Sequence, residues 1–200
     1  MRAILASGVV LGLGATTTLA AWNDSEVTYG DFVASVFAIE SRLGDEAGYR
    51  EHPSGAAGRL SFAPSAEQLS PGATTRAWLT VRTTSATTVA GSLRLSGVFS
   101  DSTELASALQ YRMVQAPPAR VGSGCPPDAF GDGWTYIAGG PHSYVPMNLP
   151  PDPPPEAELL PAGRTAVGYC LEVRMVPTAS NSLQGENAKL TWQFTGTSLQ

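Results

Sequence analysis

Residues 165–176 read TAVGYCLEVRMV, and apolar side chains recur there at every second position. One face of this stretch carries Val167, Tyr169, Leu171, Val173 and Met175. The opposite face carries Cys170, Glu172 and Arg174. A period of two residues is that of a β-strand, because successive side chains point to opposite sides of the backbone. The stretch therefore predicts a strand with one face on a hydrophobic core.

Other stretches repeat this pattern. Three further stretches place apolar side chains on one face of a strand. They are residues 77–82 with Ala77, Leu79 and Val81, residues 91–99 with Leu93 and Leu95, and residues 188–195 with Leu190, Trp192 and Phe194. Residues 59–62 and 110–114 are shorter runs of strand character. Only a short polar segment separates residues 77–82 from residues 91–99, which predicts that these two strands are antiparallel neighbours. Residues 32–39 are almost continuously apolar and favour a strand buried on both faces, with a helix as the open alternative.

Turn and cap residues divide these strands. Ser70, Pro71 and Gly72 predict a turn, because proline suits its second position and glycine its third. Ser102 predicts the N-cap of one short helix, with Glu104 in its first turn. About seven or eight strands, one short helix and no βαβ repeat predict an all-β fold. We expect an antiparallel β-sandwich of the jelly-roll or immunoglobulin-like kind, formed as a single domain by residues 21–200.

Residues 116–161 differ from the rest because they carry most of the prolines, including the run PPDPPP at residues 150–155. Proline has no backbone donor for a central β-ladder, so we expect a long excursion over the surface. The proline run favours a stiff spacer, and the alternative is a ligand for a proline-recognising domain.

Composition excludes one class of partner. The net charge is −5, charged residues make up 14%, and Lys189 is the single lysine beside eleven scattered arginines. A protein that binds nucleic acid through its phosphates needs clustered basic residues, so no nucleic-acid partner is expected.

The first twenty residues have the features of a secretory signal peptide. Arg2 precedes an uncharged apolar run, and Thr18 and Ala20 supply the small residues that a signal peptidase selects. We place cleavage after Ala20, so that Ala21 begins the mature chain, which is then secreted or held at the cell surface. A retained membrane anchor is the alternative, and no later stretch resembles a membrane span.

Export favours a disulfide between Cys125 and Cys170, the two cysteines of the chain. A redox pair would have the C-x-x-C spacing, and a zinc site would need neighbouring histidines. Closing this loop would restrict the unfolded chain by roughly 4 kcal/mol.

Residues for catalysis are scarce. His52 and His142 are the only histidines and form no metal-binding motif. Asp128 and Asp132 favour ordinary turns over a calcium loop. We expect no catalytic residues, no metal and no cofactor. Trp78, Trp134 and Trp192 are candidates for a sugar-binding platform, although packing is the simpler interpretation for them.

A resemblance to a known family is carried by residues 8–26, 69–82 and 181–198, which together are similar to the TasA/camelysin family of exported proteins. Residues 8–26, GVVLGLGATTTLAAWNDSE, resemble signal peptides processed by the SipW-type peptidase, in which Trp22, Asn23 and Asp24 form the motif after the cleavage site. Residues 69–82 and 181–198 resemble the Pro-Gly turn with its following strand and the C-terminal strand of that family. With the cysteine pair, the chain looks most similar to actinobacterial members.

This resemblance implies a structural role on the cell surface or in a biofilm matrix. Subunits of TasA-type proteins join into fibres when the N-terminal segment of one adds as a strand to the next, and the donor here would be residues 21–41. A homopolymer and a cell-wall or matrix component are the partners implied. The alternatives are a monomeric binding or adhesion module that uses residues 116–161, and a camelysin-like secreted peptidase, for which the chain lacks a zinc pattern.

Overall fold

The computed structural model describes residues 26–147, 149, 153 and 155–199. The chain divides after Val33 into two compact units. In the first unit, residues 26–33 form neither helix nor strand. Val27, Tyr29, Phe32 and Val33 are between 88% and 96% exposed.

The second unit contains the strands and helices. The strands are β1 (Ile39–Leu43), β2 (Thr74–Thr83), β3 (Gly91–Ser100), β4 (Leu109–Gln115), β5 (Thr135–Ala138), β6 (Val145–Pro146), β7 (Ala157–Leu159), β8 (Ala166–Met175) and β9 (Leu190–Ser198). The α-helix is α1 (Thr103–Ser107), and short 3-10 helices cover Ala66–Gln68, Pro118–Arg120, Pro161–Gly163 and Asn181–Leu183.

Two antiparallel sheets are formed, as predicted for an all-β sandwich with a short helix. Sheet A has the order β1-β2-β8-β4-β5, and β6 also pairs with β4. Sheet B has the order β7-β3-β9. The stretch quoted first, now β8, lies in the middle of sheet A, where it pairs with β2 and β4.

The hydrophobic core contains side chains from both sheets. The predicted inward faces are confirmed, since Ala77, Leu79 and Val81 on β2 and Leu93 and Leu95 on β3 are all buried. Burying each of these valine and leucine side chains stabilises the fold by about 1.5–3 kcal/mol.

A β-bulge in β3 changes its alternation. The register to β9 shifts between Leu95 and Gly97. Strict alternation would point Phe99 into the core, but the extra residue buries Val98 and leaves Phe99 55% exposed.

The predicted turn and cap are also present. Gly72 has a φ of 81°, and the Ala73 amide donates to the Ser70 carbonyl at 2.9 Å. The Ser102 hydroxyl accepts a bond from the Leu105 amide at 3.4 Å and so caps α1.

The prediction that β2 and β3 are neighbours is wrong. β2 pairs with β1 and β8 in sheet A, whereas β3 pairs with β7 and β9 in sheet B. The connection between them therefore crosses from one sheet to the other. Alternation identifies the buried face of a strand but carries no information on its hydrogen-bonded neighbour.

The apolar segment at residues 32–39 is mostly not a strand, because β1 begins at Ile39. Val36 and Ala38 instead bond to Thr87 and Thr88 in the connection between β2 and β3. The ring of Phe37 packs so closely on Gly91 that a Cβ there would lie 2.3 Å from it. The backbone oxygen of Thr197 would lie 2.7 Å from the same Cβ, so the position favours glycine.

Residues 116–161 contribute more than a surface excursion. They contain β5 and β6 at one side of sheet A and β7 at the edge of sheet B. Pro146 lies in β6, in keeping with the restriction of proline to strands that need fewer backbone donors. Residues 59–62, expected to be a strand, form none, and only Ala63 makes an isolated bridge to Arg76.

Candidate functional site

The outer face of sheet A, which points away from the core, carries an unusual row of charged residues. Antiparallel pairing places Glu172 of β8 between Arg76 of β2 and Arg112 of β4. Glu172 is only 1% exposed, and its carboxylate lies in a protein interior where an unpaired charge is costly. The carboxylate therefore needs the partners that surround it.

Three side chains donate hydrogen bonds to this carboxylate. Arg76 Nε lies 2.6 Å from Glu172 Oε2, and Arg112 Nε lies 2.8 Å from Oε1. The Tyr144 hydroxyl also donates to Oε1. Arg112 Nη2 adds a contact of 2.7 Å to Oε1, so both carboxylate oxygens are occupied.

These contacts shift two pKa values in opposite directions. Burial alone raises the pKa of Glu172, but the hydrogen bonds from Tyr144 and Arg76 and the charge of Arg112 lower it below its ordinary value. Burial, together with the adjacent Glu172, raises the pKa of Tyr144 to about 12. Glu172 is therefore ionised and Tyr144 is a neutral donor at neutral pH.

Above the carboxylate, arginine and aromatic side chains alternate. We name the set Arg76, Phe130, Arg112, Tyr144 and Arg174 the Glu172 stack. The guanidinium carbons of Arg76 and Arg112 lie 5.5 and 4.2 Å from the centre of the Phe130 ring. Arg112 and Arg174 lie 4.9 and 3.8 Å from the centre of the Tyr144 ring. Arg174 also donates two hydrogen bonds to Gln110 Oε1, so every arginine of this stack has a polar partner.

A second alternating set lies on the same face near β1. We name Trp78, Arg42, Tyr49 and Arg82 the Arg42 stack. The Arg42 guanidinium lies 5.1 Å from the centre of the Trp78 ring and 5.6 Å from that of Tyr49. Arg82 lies 3.8 Å from the Tyr49 ring centre and bonds to Glu40 at 2.8 Å.

The disulfide between Cys125 and Cys170 is present, as predicted. It ties the segment after β4 to the outer face of β8. A second buried cluster forms around it from Val114, Ala116, Ala129, Phe130, Trp134 and Cys170. Phe130 belongs to both this cluster and the Glu172 stack, so the tied segment supplies an aromatic member of the stack.

A groove of about 1010 Å³ lies beside the first half of β9. Its walls include Leu60 and Phe62 from the segment before β2, and Leu190 and Trp192 from β9. Phe62 and Trp192 have ring centres 6.2 Å apart. Trp192 Nε1 is buried and has no hydrogen-bond partner within the described residues.

The other residues singled out from the sequence do not converge. The predicted cleavage site and the motif after it lie outside the described residues. They comprise Thr18, Ala20 and Ala21, followed by Trp22, Asn23 and Asp24. His52 contacts Ser41 and Glu46, and His142 is exposed. Across residues 26–147, 149, 153 and 155–199, no group of three His, Cys, Asp or Glu side chains could hold a metal ion.

The three candidate tryptophans are also not brought together as one platform. Trp78 belongs to the Arg42 stack, Trp134 is buried beside the disulfide, and Trp192 packs against Phe62 and Tyr111. In the part of the chain described, no aromatic contact joins any two of them.

No protein-family model and no curated protein matches the chain. Within the described ranges, no helix is long and apolar enough to cross a membrane.

Sequence reasoning placed Glu172 and Arg174 on the outward face of their strand but did not identify the cluster that they form. Alternation made that face appear solvent-exposed, whereas Tyr144 and Phe130, from the proline-rich segment, contact its charged side chains. The one available signal was arginine recurring on outward faces, at Arg76, Arg112 and Arg174.

Proposed function

We propose that this chain is an exported, non-catalytic structural protein of the cell surface or extracellular matrix. In this proposal, subunits join into fibres when the N-terminal segment of one chain adds as a strand to the next. The resemblance of residues 8–26, 69–82 and 181–198 to the TasA/camelysin family supports this function. The observation that carries it is the combination of a β9 edge that has no partner strand among the described residues with exposed apolar side chains at residues 27–33.

The acceptor would be the free edge of β9. Within the described chain, β9 pairs with β3 along one edge and with no strand along the other. Such an edge offers backbone N–H and C=O groups to an incoming strand. The groove lies beside the same strand and provides apolar walls for alternate side chains of the donor. The buried Trp192 Nε1 would find an acceptor in a donor carbonyl.

The donor would come from the segment before the folded unit. Val36 and Ala38 are already bonded to Thr88 and Thr87 of the same chain, and β1 pairs with β2 from Ile39 onward. These bonds limit the proposed donor to residues 21–35. In its described part, Val27, Tyr29, Phe32 and Val33 are almost fully exposed. Large apolar side chains grouped in this way are typical of surfaces that become covered in an assembly. Signal-peptide cleavage would release this segment and act as the switch for assembly.

Assembly of the mature chain tests this proposal. Residues 21–200 and 34–200 are produced separately, and each is followed by sedimentation and electron microscopy over a range of concentrations. We expect filaments from the longer chain alone, because the shorter one keeps β1–β9 but lacks most of the donor. The matched variant is Val27→Asp, which places a charge in the donor and should reduce filament yield at least tenfold. Two indistinguishable monomers would overturn strand addition and favour the monomeric binding module.

A further inference from the structure

The bonds between β9 and β3 show which backbone groups of β9 face its free edge. At one end the Leu199 amide donates to the Ala90 carbonyl at 2.9 Å. At the other end the Lys189 carbonyl accepts from the Asp101 amide at 3.3 Å. Residues that bond to the partner strand alternate with residues that point away from it, and the bulge adds its extra residue to β3, not to β9. Even-numbered residues from Leu190 to Ser198 therefore present their N–H and C=O groups to the free edge.

Only the first half of this edge is open on the side that faces the core. A Cβ on Gly196 would lie 2.9 Å from Ile39 and 3.0 Å from the ring of Phe37, so the same chain already covers that position. Leu190 and Trp192 instead line the groove. An added strand can therefore bury apolar side chains against residues 190–194, but not further along β9.

The exposed N-terminal segment would have two unequal faces as a strand. One face would carry Val27, Tyr29, Asp31 and Val33, because side chains alternate along a strand. This face holds three of the four large apolar side chains that are between 88% and 96% exposed. The other face would hold Phe32 together with threonine, glycine and alanine. The first face therefore buries more apolar surface, provided that Asp31 stays out of the core.

Asp31 decides the direction of the added strand. A parallel strand with Tyr29 opposite Trp192 would place Asp31 opposite Phe194. The ring of Phe194 packs against the hydrophobic core, with its centre 4.9 Å from that of Tyr169. An unpaired carboxylate is costly in such surroundings. An antiparallel strand avoids this cost, because it moves Asp31 to the opposite end of the groove.

The antiparallel strand brings Asp31 opposite Leu190 and beside Lys189. Lys189 is exposed, lines the groove and forms no salt bridge within the residues that the structure describes. Arg59, the other basic residue lining the groove, is already paired with Glu67 at 3.3 Å. Lys189 is thus the cation available to Asp31.

The same face also disfavours a slip of the added strand by two residues. With Tyr29 opposite Trp192, Val27 lies opposite Phe194, and pairs of aromatic and β-branched side chains stabilise neighbouring strands. A slip in one direction would bring Asp31 opposite Trp192. A slip in the other direction would bring Ser25 opposite Phe194 and leave that ring without an apolar partner.

We propose that the donor strand adds antiparallel to β9, with Tyr29 of one subunit opposite Trp192 of the next and Asp31 beside Lys189. This inference rests on the proposed function and names the residues that set the direction and register of strand addition. Tyr29 enters the aromatic part of the groove, where the ring centres of Phe62 and Trp192 lie 6.2 Å apart. The ion pair at the end of the groove selects the antiparallel direction.

Disulfide trapping in filaments of residues 21–200 tests the register. Thr28 would lie directly opposite Gln193, which is exposed, so neither substitution disturbs the core. Side chains directly opposite each other have Cβ atoms about 4.5–5.5 Å apart, close enough for a disulfide to form with a small adjustment. We expect Thr28→Cys with Gln193→Cys to give a ladder of covalent multimers on a non-reducing gel after mild oxidation.

The matched control is Thr28→Cys with Thr191→Cys. A parallel strand, or the slip that brings Ser25 opposite Phe194, would cross-link this pair instead. Filaments without the Thr28–Gln193 cross-link, or with more of the control cross-link, would overturn the register and leave strand addition standing. Chains that form neither filaments nor cross-links would overturn the proposed function and this register with it.

Exchange of two charges tests the ion pair. Lys189→Glu should lower the filament yield of residues 21–200 about threefold, because it places like charges together at an exposed position. Adding Asp31→Lys should restore the yield. Adding Glu26→Lys instead is the matched control and should not restore it, since Glu26 would lie opposite Thr195, away from Lys189. No recovery with Asp31→Lys, or equal recovery in the control, would refute the pairing.

Discussion

The Glu172 stack and the Arg42 stack lie on the same face of sheet A and are built from the same alternation of arginine and aromatic rings. They differ in their polar partners. Each arginine of the Glu172 stack bonds to Glu172 or Gln110, whereas Arg42 has no polar partner within the described residues. The comparison shows that the same kind of side-chain stack occurs once with every arginine hydrogen-bonded and once with an arginine side chain that has no polar partner among the described residues.

The two stacks also differ in whether they contain a buried ion pair. Arg112 and Glu172 have side chains only 12% and 1% exposed, so their mutual attraction is poorly screened by water. Removing one member of such a pair leaves an uncompensated charge in the interior. Arg42 carries no paired charge, so its replacement leaves no ion without its counterpart.

The largest expected effect comes from releasing the segment that contacts both stacks. The double variant Cys125→Ala with Cys170→Ala should lower the free energy of unfolding by about 4 kcal/mol, because the bond closes a loop with a sequence separation of 45 residues. Urea denaturation measures this loss. Reduced wild-type protein is the control and should match the variant, and a loss below about 1 kcal/mol would show that the segment is held mainly by packing.

Neutralising the shared carboxylate should have the next largest effect. Glu172→Gln keeps the shape of the side chain but leaves Arg76 and Arg112 without their counter-charge, so we expect a loss of about 3 kcal/mol in the free energy of unfolding. The matched control is Glu158→Gln, at an exposed position of β7, which should change stability by less than about 0.5 kcal/mol. Similar losses in the two variants would contradict the role given to Glu172.

Acid should narrow the difference between wild type and Glu172→Gln. The pKa of Glu172 is lowered in the folded protein, so its contribution to stability is present above the ordinary value of 4.5 and is lost as the pH falls through the folded-state value. Urea denaturation at pH 7 and pH 3 should therefore show wild type losing more stability than the variant. A gap that stays constant with pH would rule out Glu172 ionisation as its source.

The smallest effects are expected in the Arg42 stack. Arg42→Gln should change the free energy of unfolding by less than about 1 kcal/mol, because a partly exposed arginine without an ion pair contributes mainly packing. Thr80→Val should leave stability unchanged or raise it by about 1 kcal/mol, since it removes a buried hydroxyl that has no partner. Urea denaturation measures both changes. A loss near that of Glu172→Gln would erase the contrast between the two stacks.

The sequence predicts well those structural features that are decided by residues close together in the chain. Alternation in β2, β3 and β8 correctly identified their buried faces, and Ser102 and Gly72 marked a cap and a turn, because each of these features is decided within a few residues. The β-sandwich class followed from these elements and their connections.

The sequence did not reveal features that depend on register between distant strands. Nothing local shows that Arg42 lies opposite Thr80, or that Glu172 is flanked by Arg76 and Arg112. The burial of Glu172 was missed for the same reason, because Tyr144 reaches it from a segment whose prolines suggested only a surface excursion.

The central proposal is that one subunit donates its N-terminal segment to the free edge of β9 in the next. Amide hydrogen exchange of residues 34–200, measured with and without a synthetic peptide of residues 21–35, tests it most directly. We predict that the peptide slows exchange at the β9 amides that do not bond to β3, while amides in β8, at the centre of sheet A, change little. Unchanged exchange along β9 at saturating peptide would contradict the proposal.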